Sequence, residues 1–595
     1  MRVESACGFD CYDACKIVAK VDEDGLKLEA DSSHPYSNSA LCRVVNQDMF
    51  KAPRITKPMV DGKEVSMSEA LDEVAKVLNS NSLLWRGSGN FGVMQQVTDL
   101  IFGKLDAYTT KGTLCDGAGD AGVLEGRGVN KSLSPTQISK ADVVVVWGRN
   151  ITVTNAHLMP YIEGKKLVVI DPVKTPIAKM ADLHIAIKPR MDYYLAIMLA
   201  RFVFMDGCED SVWCEEFASE YEEFYEYTRE HRIKAILEEM GVDLAMMGEI
   251  IEYIRGKKVV FLVGNGVQKY SIGSYTLHAI DSLGAVLGLF GKEGCGVDFI
   301  SNSKLGFDNP FAVKTKQVHK VNTPFERFDT VVVQGGNPAE SMPNSNRVRD
   351  ELSKVTNLIY FGLYENETSK LARIIIPAKN FLEKDDIRLS YGHHYIHKMN
   401  KVLECEYGIS EYEFTKEIFN RLGFDGLKSE DEYISSWLNQ VEFDGDEMVS
   451  PAYEEIPYQN GFGEDGDDEF EFIDEFDDDF IDTKRFRKVR KKKQTDEDKL
   501  CLITPKATNS INTQFNQHNQ AILHPSLGYG DGDMIELSSE YGSAKFEVKI
   551  SEDVRADCVV LKANTKDVNV LTPDIISEYG DGACYQEVML EHKRV

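Results

Sequence analysis

Three cysteines fall within nine residues, in Cys7-Gly-Phe-Asp-Cys11-Tyr-Asp-Ala-Cys15, and a fourth stands in Leu41-Cys42-Arg43. A short loop bearing three evenly spaced thiolates, with one more returned from a distance, can close around a single [4Fe-4S] cubane. Structural zinc competes for such ligands, but zinc sites usually take two separated C-x2-4-C pairs rather than three even spacings and an outlier. Burial as plain apolar thiols explains one cysteine more readily than three in nine residues. The spacing therefore favours an iron–sulfur cluster held by Cys7, Cys11, Cys15 and Cys42. Arg43 is either a solvated charge or a cation beside the cluster that biases its potential.

The segment around these cysteines lacks helical periodicity. Lys16 to Leu28 alternates apolar and polar residues and reads as a hairpin turning at Asp24-Gly25, so a small β domain is expected. Ser68 to Leu78 has the spacing of an amphipathic helix. Beyond it, uninterrupted apolar runs end repeatedly in glycine turns. Ser82-Leu-Leu-Trp-Arg runs into Gly87-Ser-Gly89, Val143–Trp147 into Gly148-Arg-Asn150, and Lys258–Val263 into Gly264-Asn-Gly266. Asp329–Gln334 runs into Gly335-Gly-Asn337-Pro338, while Lys166–Ile170 ends on Asp171. Unbroken β-branched strands separated by helical stretches suit parallel sheets covered on both faces. The glycines let backbone amides approach a phosphate or ring. Asp171 at a strand end can accept hydrogen bonds from a ribose or guanine edge, or cap the next helix. One such turn is weak evidence; its recurrence suggests paired nucleotide-like sites.

Cys115 stands alone in a glycine-rich turn, Thr113-Leu-Cys115-Asp-Gly-Ala-Gly119, as a soft metal ligand, a nucleophile or a buried thiol. Residues 463 to 493 break the composition, with twelve acids from Glu464 to Asp482 and then eight bases from Lys484 to Lys493. Charge blocks of this kind usually stay solvated, so a linker or insertion is expected. Docking of Phe470, Phe472, Phe476 and Phe480 on a partner is the lesser expectation. From Leu500 onward, short strands divided by Asp-Gly and Gly-Ser turns suggest a small barrel.

The order of these pieces resembles the molybdopterin-containing oxidoreductases of the dimethyl sulfoxide reductase superfamily over nearly the whole chain. The marks are the cysteine box, Trp147-Gly-Arg-Asn150, Val169-Ile-Asp-Pro172, Gly335-Gly-Asn-Pro338 and Glu367-Thr368 with Ala372-Arg-Ile-Ile-Ile-Pro-Ala. Phe381-Leu-Glu-Lys-Asp-Asp, Leu502-Ile-Thr-Pro and His524-Pro with Gly532-Asp-Met-Ile complete them. The resemblance implies a multidomain α/β fold. A small N-terminal β iron–sulfur domain (1–55) and two Rossmann-like α/β domains (56–110 with 300–400, and 111–299) would surround a buried cofactor. A helical connection (401–462), a disordered charged insert (463–499) and a C-terminal β-barrel dinucleotide-binding domain (500–595) follow. The implied cofactor is molybdenum or tungsten held by two molybdopterin guanine dinucleotides, beside the [4Fe-4S] cluster. The implied contacts are Arg43 between cluster and pterin, and Asn150, Asp171, Asp192, Gly264, Gly266, Asn337, Thr368 and Asn512 along the dinucleotides. Cys115 falls where the family places the protein's own metal ligand, and a thiolate there suits a soft, high-valent metal.

Two departures stand out. Asp116 follows Cys115 where formate dehydrogenases have histidine, so formate is not favoured. Lys188-Pro-Arg-Met-Asp192 replaces the usual Pro-Gly-Thr-Asp, which puts one guanine contact in question. The chain is also short for the family, and the missing length is expected in substrate-funnel loops. His157, His393, His394 and His397 are as readily structural as catalytic.

The leading expectation is a catalytic subunit acting on a small molecule by oxygen-atom transfer or dehydrogenation, with the cluster relaying electrons to a partner subunit. The rival is a metal-free electron-transfer or assembly subunit like the molybdopterin-like large subunit of respiratory complex I. A zinc-stabilised nucleotide-binding protein is the third. Ninety-seven acids against 67 bases give a net charge of −30, which argues against nucleic acid. With no run of eighteen apolar residues and no signal core after Met1, a cytoplasmic protein without a direct membrane span is expected. Twelve cysteines in a reducing compartment favour clusters and metals over disulfides.

Overall fold

A computed structural model describes residues 1–23, 25–473, 476 and 499–595. The chain opens with an antiparallel sheet of Arg2–Ala6, Lys16–Asp22 and Gly25–Ala30. Its register pairs Ala6 with Lys16, so residues 7–15 form a loop pinned at both ends. The Cys7 amide donates to the Cys15 carbonyl at 2.9 Å, which closes that loop. Asp24, at the expected hairpin turn, lies outside the described residues.

Two largely parallel sheets follow. One runs in the order Leu183–Ile185, Lys166–Ile170, Val143–Trp147, Val259–Val263, Gly296–Asp298, all parallel. Both faces of its central strands are buried, which is why those strands are unbroken β-branched runs rather than alternating ones. The helix Asp192–Asp206 is apolar on nearly every side because helices Gly273–Val286, Tyr221–Arg229, Ile233–Met240 and Leu244–Ile254 all pack against it.

The second sheet has eight strands. Lys316–His319, Tyr108–Lys111, Ser82–Arg86, Thr330–Gln334, Asn357–Gly362 and Ile374–Pro377 are parallel, and the hairpin of Met59–Val60 and Lys63–Glu64 adds an antiparallel edge. The amphipathic helix Met67–Val77 packs its Ala70, Leu71 and Val74 face on this sheet, started by a Ser66–Glu69 capping box. A closed six-stranded barrel lies near the C-terminus, built from Leu500–Ile503, Cys558–Val560, Gln520–Leu523, Gly542–Ile550, Met534–Ser539 and Met589–Arg594.

The charged insert needs correction over its described part. Phe470–Glu471 pairs in parallel with Ala218–Ser219, and Phe470, Phe472 and Phe476 are buried in the chain's own core. Phe470 stacks on Phe290 and Phe472 on Phe224, with ring centroids 5.6 and 4.9 Å apart. Burying such rings outweighs the preference of the neighbouring acids for water, since Glu471, between the first two rings, stays exposed. The expected docking of these three rings on a partner is therefore replaced by docking within the chain. Phe480 and the basic block lie outside the described residues.

Candidate functional site

The carboxyl ends of both parallel sheets line one cavity of about 1400 Å³. Each sheet contributes two adjacent glycine turns, and in each pair the turns lock against one another. On the five-stranded sheet, Gly264 N–H donates to the Trp147 carbonyl at 2.8 Å and Gly266 N–H to the Gly148 carbonyl at 3.3 Å. On the eight-stranded sheet, Gly87 N–H donates to Gln334 and Gly89 N–H to Gly335, both at 2.8 Å. A Cβ at Gly87 would lie 2.5 Å from the Gly335 carbonyl oxygen, and one at Gly264 would collide with that of Gly148. Gly148 and Gly335 hold φ at +58° and +57°, a region open chiefly to glycine. Two matching cradles, one per sheet, thus present backbone to the same cavity.

The polar residues expected there divide into two groups. Asn150, Asp171, Asp192, Gly264, Gly266, Asn337, Asn512 and Arg43 line the cavity. Thr368 does not. Fully buried behind the turn, it donates from both N–H and Oγ1 to Asn337 Oδ1, at 3.2 and 2.9 Å, and orients that side chain. Its expected role as a direct contact is replaced by support of Asn337. Asp171 accepts from the Val173 amide at 2.8 Å, and Asp192 from Trp147 Nε1 at 2.7 Å. Burial pushes the Asp171 carboxyl up to about 7, with Asp192 adding to the rise, and burial takes Asp192 to about 6. Carboxylates held under that strain are suited to accepting N–H groups from a ligand.

Cys115 also lines the cavity, just ahead of the helix Gly117–Arg127. Its Sγ accepts from Asn265 Nδ2 at 3.3 Å, and its amide donates to Thr113 Oγ1 at 2.9 Å. Gln268 Nε2 donates to its carbonyl at 2.6 Å, and the Lys269 ammonium also bonds there. Burial, then the neighbouring Asp116, pushes the thiol up to about 11, and Lys269 acts in the opposite sense. An ionised sulfur there needs a cation to sustain it. Soft-metal ligation meets that requirement.

The four N-terminal thiols lie close enough to feel one another's charge. Burial raises Cys7 to about 12, and it raises Cys11 and Cys15 as well. The nearby thiols add to the rise in Cys7, Cys11 and Cys15. Four thiols whose ionised forms would repel one another suit the donor set of a cationic iron core, which would stabilise their ionisation, and all twelve cysteines are free of disulfides. Cys42 is exposed, Cys11 reaches the cavity, and Cys7 and Cys15 are buried.

Sequence reasoning missed three residues that build this region. Arg388, fully buried, donates to the carbonyls of Cys7, Phe9 and Cys11 at 3.0, 3.1 and 3.0 Å, and so fixes the cysteine loop. Asp10, inside the cysteine box, accepts from Ser88 Oγ at 2.7 Å, Tyr391 Oη at 2.8 Å and Asn512 Nδ2 at 3.3 Å. Lys506 neighbours Asp10 and bonds Asn512, so a lysine from the barrel side joins Arg43 on the cavity wall. Arg43 itself is half exposed and bonds Asp48 at 3.2 Å. Asp10 alone carried a signal, its place between two cysteines.

Among the described residues, no histidine lines the cavity. His34, His397 and Glu447 approach one another closely enough to suggest a metal site. Two contacts oppose it. The Ser37 amide donates to His34 Nδ1 at 2.9 Å, which leaves the proton on Nε2, and the Lys16 ammonium holds both Glu447 oxygens at 2.9 and 3.1 Å. Lysine takes the cation's place there.

Comparison with known proteins agrees with this geometry. The family model "Molybdopterin oxidoreductase" matches residues 54–418, and "Molydopterin dinucleotide binding domain" matches residues 500–589. The chain is 25% identical to the probable oxidoreductase YyaE of Bacillus subtilis, across 99% of each protein. It is 22% identical to the assimilatory nitrate reductase catalytic subunit of the same organism, over 59% of this chain and 58% of that one. The structure of acetylene hydratase from Pelobacter acetylenicus superposes with a TM-score of 0.73 over the full length of both chains, at 14% identity.

Proposed function

This chain belongs to the molybdopterin oxidoreductase family, and on that premise we propose a catalytic subunit that performs a two-electron oxidation or reduction of a small molecule and passes electrons through a [4Fe-4S] cluster. The observation that carries this reading is the pair of matched glycine cradles opening on the cavity that also holds Cys115. When bound, the metal and its two pterin dinucleotides supply the two-electron change and the cluster exchanges single electrons.

The protein's own contribution is position and charge. The turns at Gly148–Asn150 and Gly264–Gly266 take one dinucleotide, and those at Gly87–Gly89 and Gly335–Asn337 take the other, because only side-chain-free backbone admits a pyrophosphate so closely. Asp171 and Asp192 accept the N–H groups of a guanine edge, which relieves the burial that raises both carboxyls. Cys115 is the metal ligand, with Asn265 and Lys269 moderating the charge on its sulfur. Cys7, Cys11, Cys15 and Cys42 would hold the cluster, and Asp10, Asn512 and Lys506 tie the cysteine loop to the cavity wall that would receive the pterin. The exposure of Cys42 and Arg43 supports electron exchange with a partner subunit at that face. Among the described residues no helix is long and apolar enough to cross a membrane.

Two substitutions test the assignment. Cys42→Ser is expected to bleach the cluster's visible absorbance and reduce bound iron; an unchanged spectrum removes Cys42 as a ligand. Cys115→Ala is expected to change the molybdenum or tungsten paramagnetic signature while cluster iron stays constant. An unaltered signature returns Cys115 to the core.

A further inference from the structure

We propose that His157 donates a hydrogen bond to the Cys15 sulfur and thereby raises the reduction potential of the iron–sulfur cluster. The inference rests on the cluster reading above. His157 Nε2 lies 3.5 Å from Cys15 Sγ, and both residues are at least nine-tenths buried. A ligating Cys15 is a thiolate and can only accept, so the imidazole supplies the proton. Its other nitrogen, Nδ1, lies 3.3 Å from Ser39 Oγ, a hydroxyl free to donate and so to place the ring proton on Nε2.

The ring is held from several directions. The buried Asp13 carboxylate accepts the Tyr36 hydroxyl at 2.7 Å. The Tyr36 ring lies 5.8 Å from the imidazole. His157 also belongs to the segment that begins at the Gly148–Asn150 turn, in which Arg149 donates to Asn155 Oδ1 at 3.0 Å. One continuous stretch of chain therefore reaches from the dinucleotide cavity to a cluster sulfur. A donor aimed at a ligand sulfur stabilises the more negative, reduced cluster, because its partial positive charge offsets the added electron, and the burial of both His157 and Cys15 keeps water from screening that contact.

The test is an EPR-monitored redox titration of the anaerobically purified full-length protein, with His157→Phe and His157→Gln beside it. His157→Phe removes the donor and is expected to move the midpoint to lower potential at unchanged iron content. His157→Gln, which keeps an N–H, is expected to restore part of the shift. Pulsed EPR of the reduced cluster should also lose one exchangeable-proton coupling in the phenylalanine variant alone. Equal midpoints and equal couplings in all three proteins overturn the assignment, and so does a phenylalanine variant that shifts with no recovery by glutamine. Wild-type protein with no cluster absorbance after reconstitution fails at the earlier step, and it sinks the cluster and this inference together.

Discussion

Arg190 holds φ at +73°, a conformation that usually calls for glycine, two residues before Asp192. The family resemblance places a glycine there, so the backbone has kept a glycine shape under a different side chain. The ion pair of Arg190 Nε with Glu587, at 3.0 Å and largely shielded from water, offsets the strain. Arg190→Ala keeps the strained backbone and loses the pair, whereas Arg190→Gly removes the strain. Urea denaturation should find the glycine variant more stable than the alanine variant by about 1 kcal/mol. Asp171 gives a second test. Its folded pKa of about 7 lies above that of an unfolded aspartate, so folding takes up a proton. The stability it contributes is complete below the unfolded value and is lost as pH rises towards 7 and beyond. Cofactor-free Asp171→Asn protein should therefore gain melting temperature over the wild type at pH 8 and show little gain at pH 4. A constant difference across that range would mean that Asp171 is ionised at neutral pH.

Among the elements, the strands and the turns after them carried most of the information in the sequence. Val143–Trp147, Val259–Val263 and Thr330–Gln334 announced themselves because strands buried on both faces cannot alternate. The locking of neighbouring turns, Gly87 on Gly335 and Gly264 on Gly148, could not be read, since it depends on which strands become neighbours. Gly264→Ala should cost about 1–3 kcal/mol through overpacking against the Gly148 turn and should reduce bound guanine nucleotide. Retention of full nucleotide by that variant would show that the turns need not lie this close. Phe470 and Phe472 were hidden for another reason. Acids dominate the composition around them, and a local reading of charge does not reveal a groove built from helices more than a hundred residues away. Arg388 was equally hidden, because three of its partners are backbone carbonyls in the first eleven residues.

For the whole molecule, the site is assembled from both ends of the chain and its middle. The N-terminal cysteine loop, the two parallel sheets and the barrel each bring residues to one cavity, joined by contacts such as Asp10 with Asn512. The sequence motifs located most of those residues but not their division of labour. Thr368 supports Asn337 from behind, and Lys506 joins Arg43 on the wall near the cysteine loop. The central claim is that this assembly holds a metal–pterin pair beside a cluster. The measurement that tests it most directly is the iron, molybdenum or tungsten, and guanine nucleotide content of anaerobically purified protein. The account predicts about four iron with close to one molybdenum or tungsten per chain, accompanied by guanine nucleotide. Iron without molybdenum, tungsten or pterin, from cells able to make the cofactor, would contradict it and leave an electron-transfer subunit on the same scaffold.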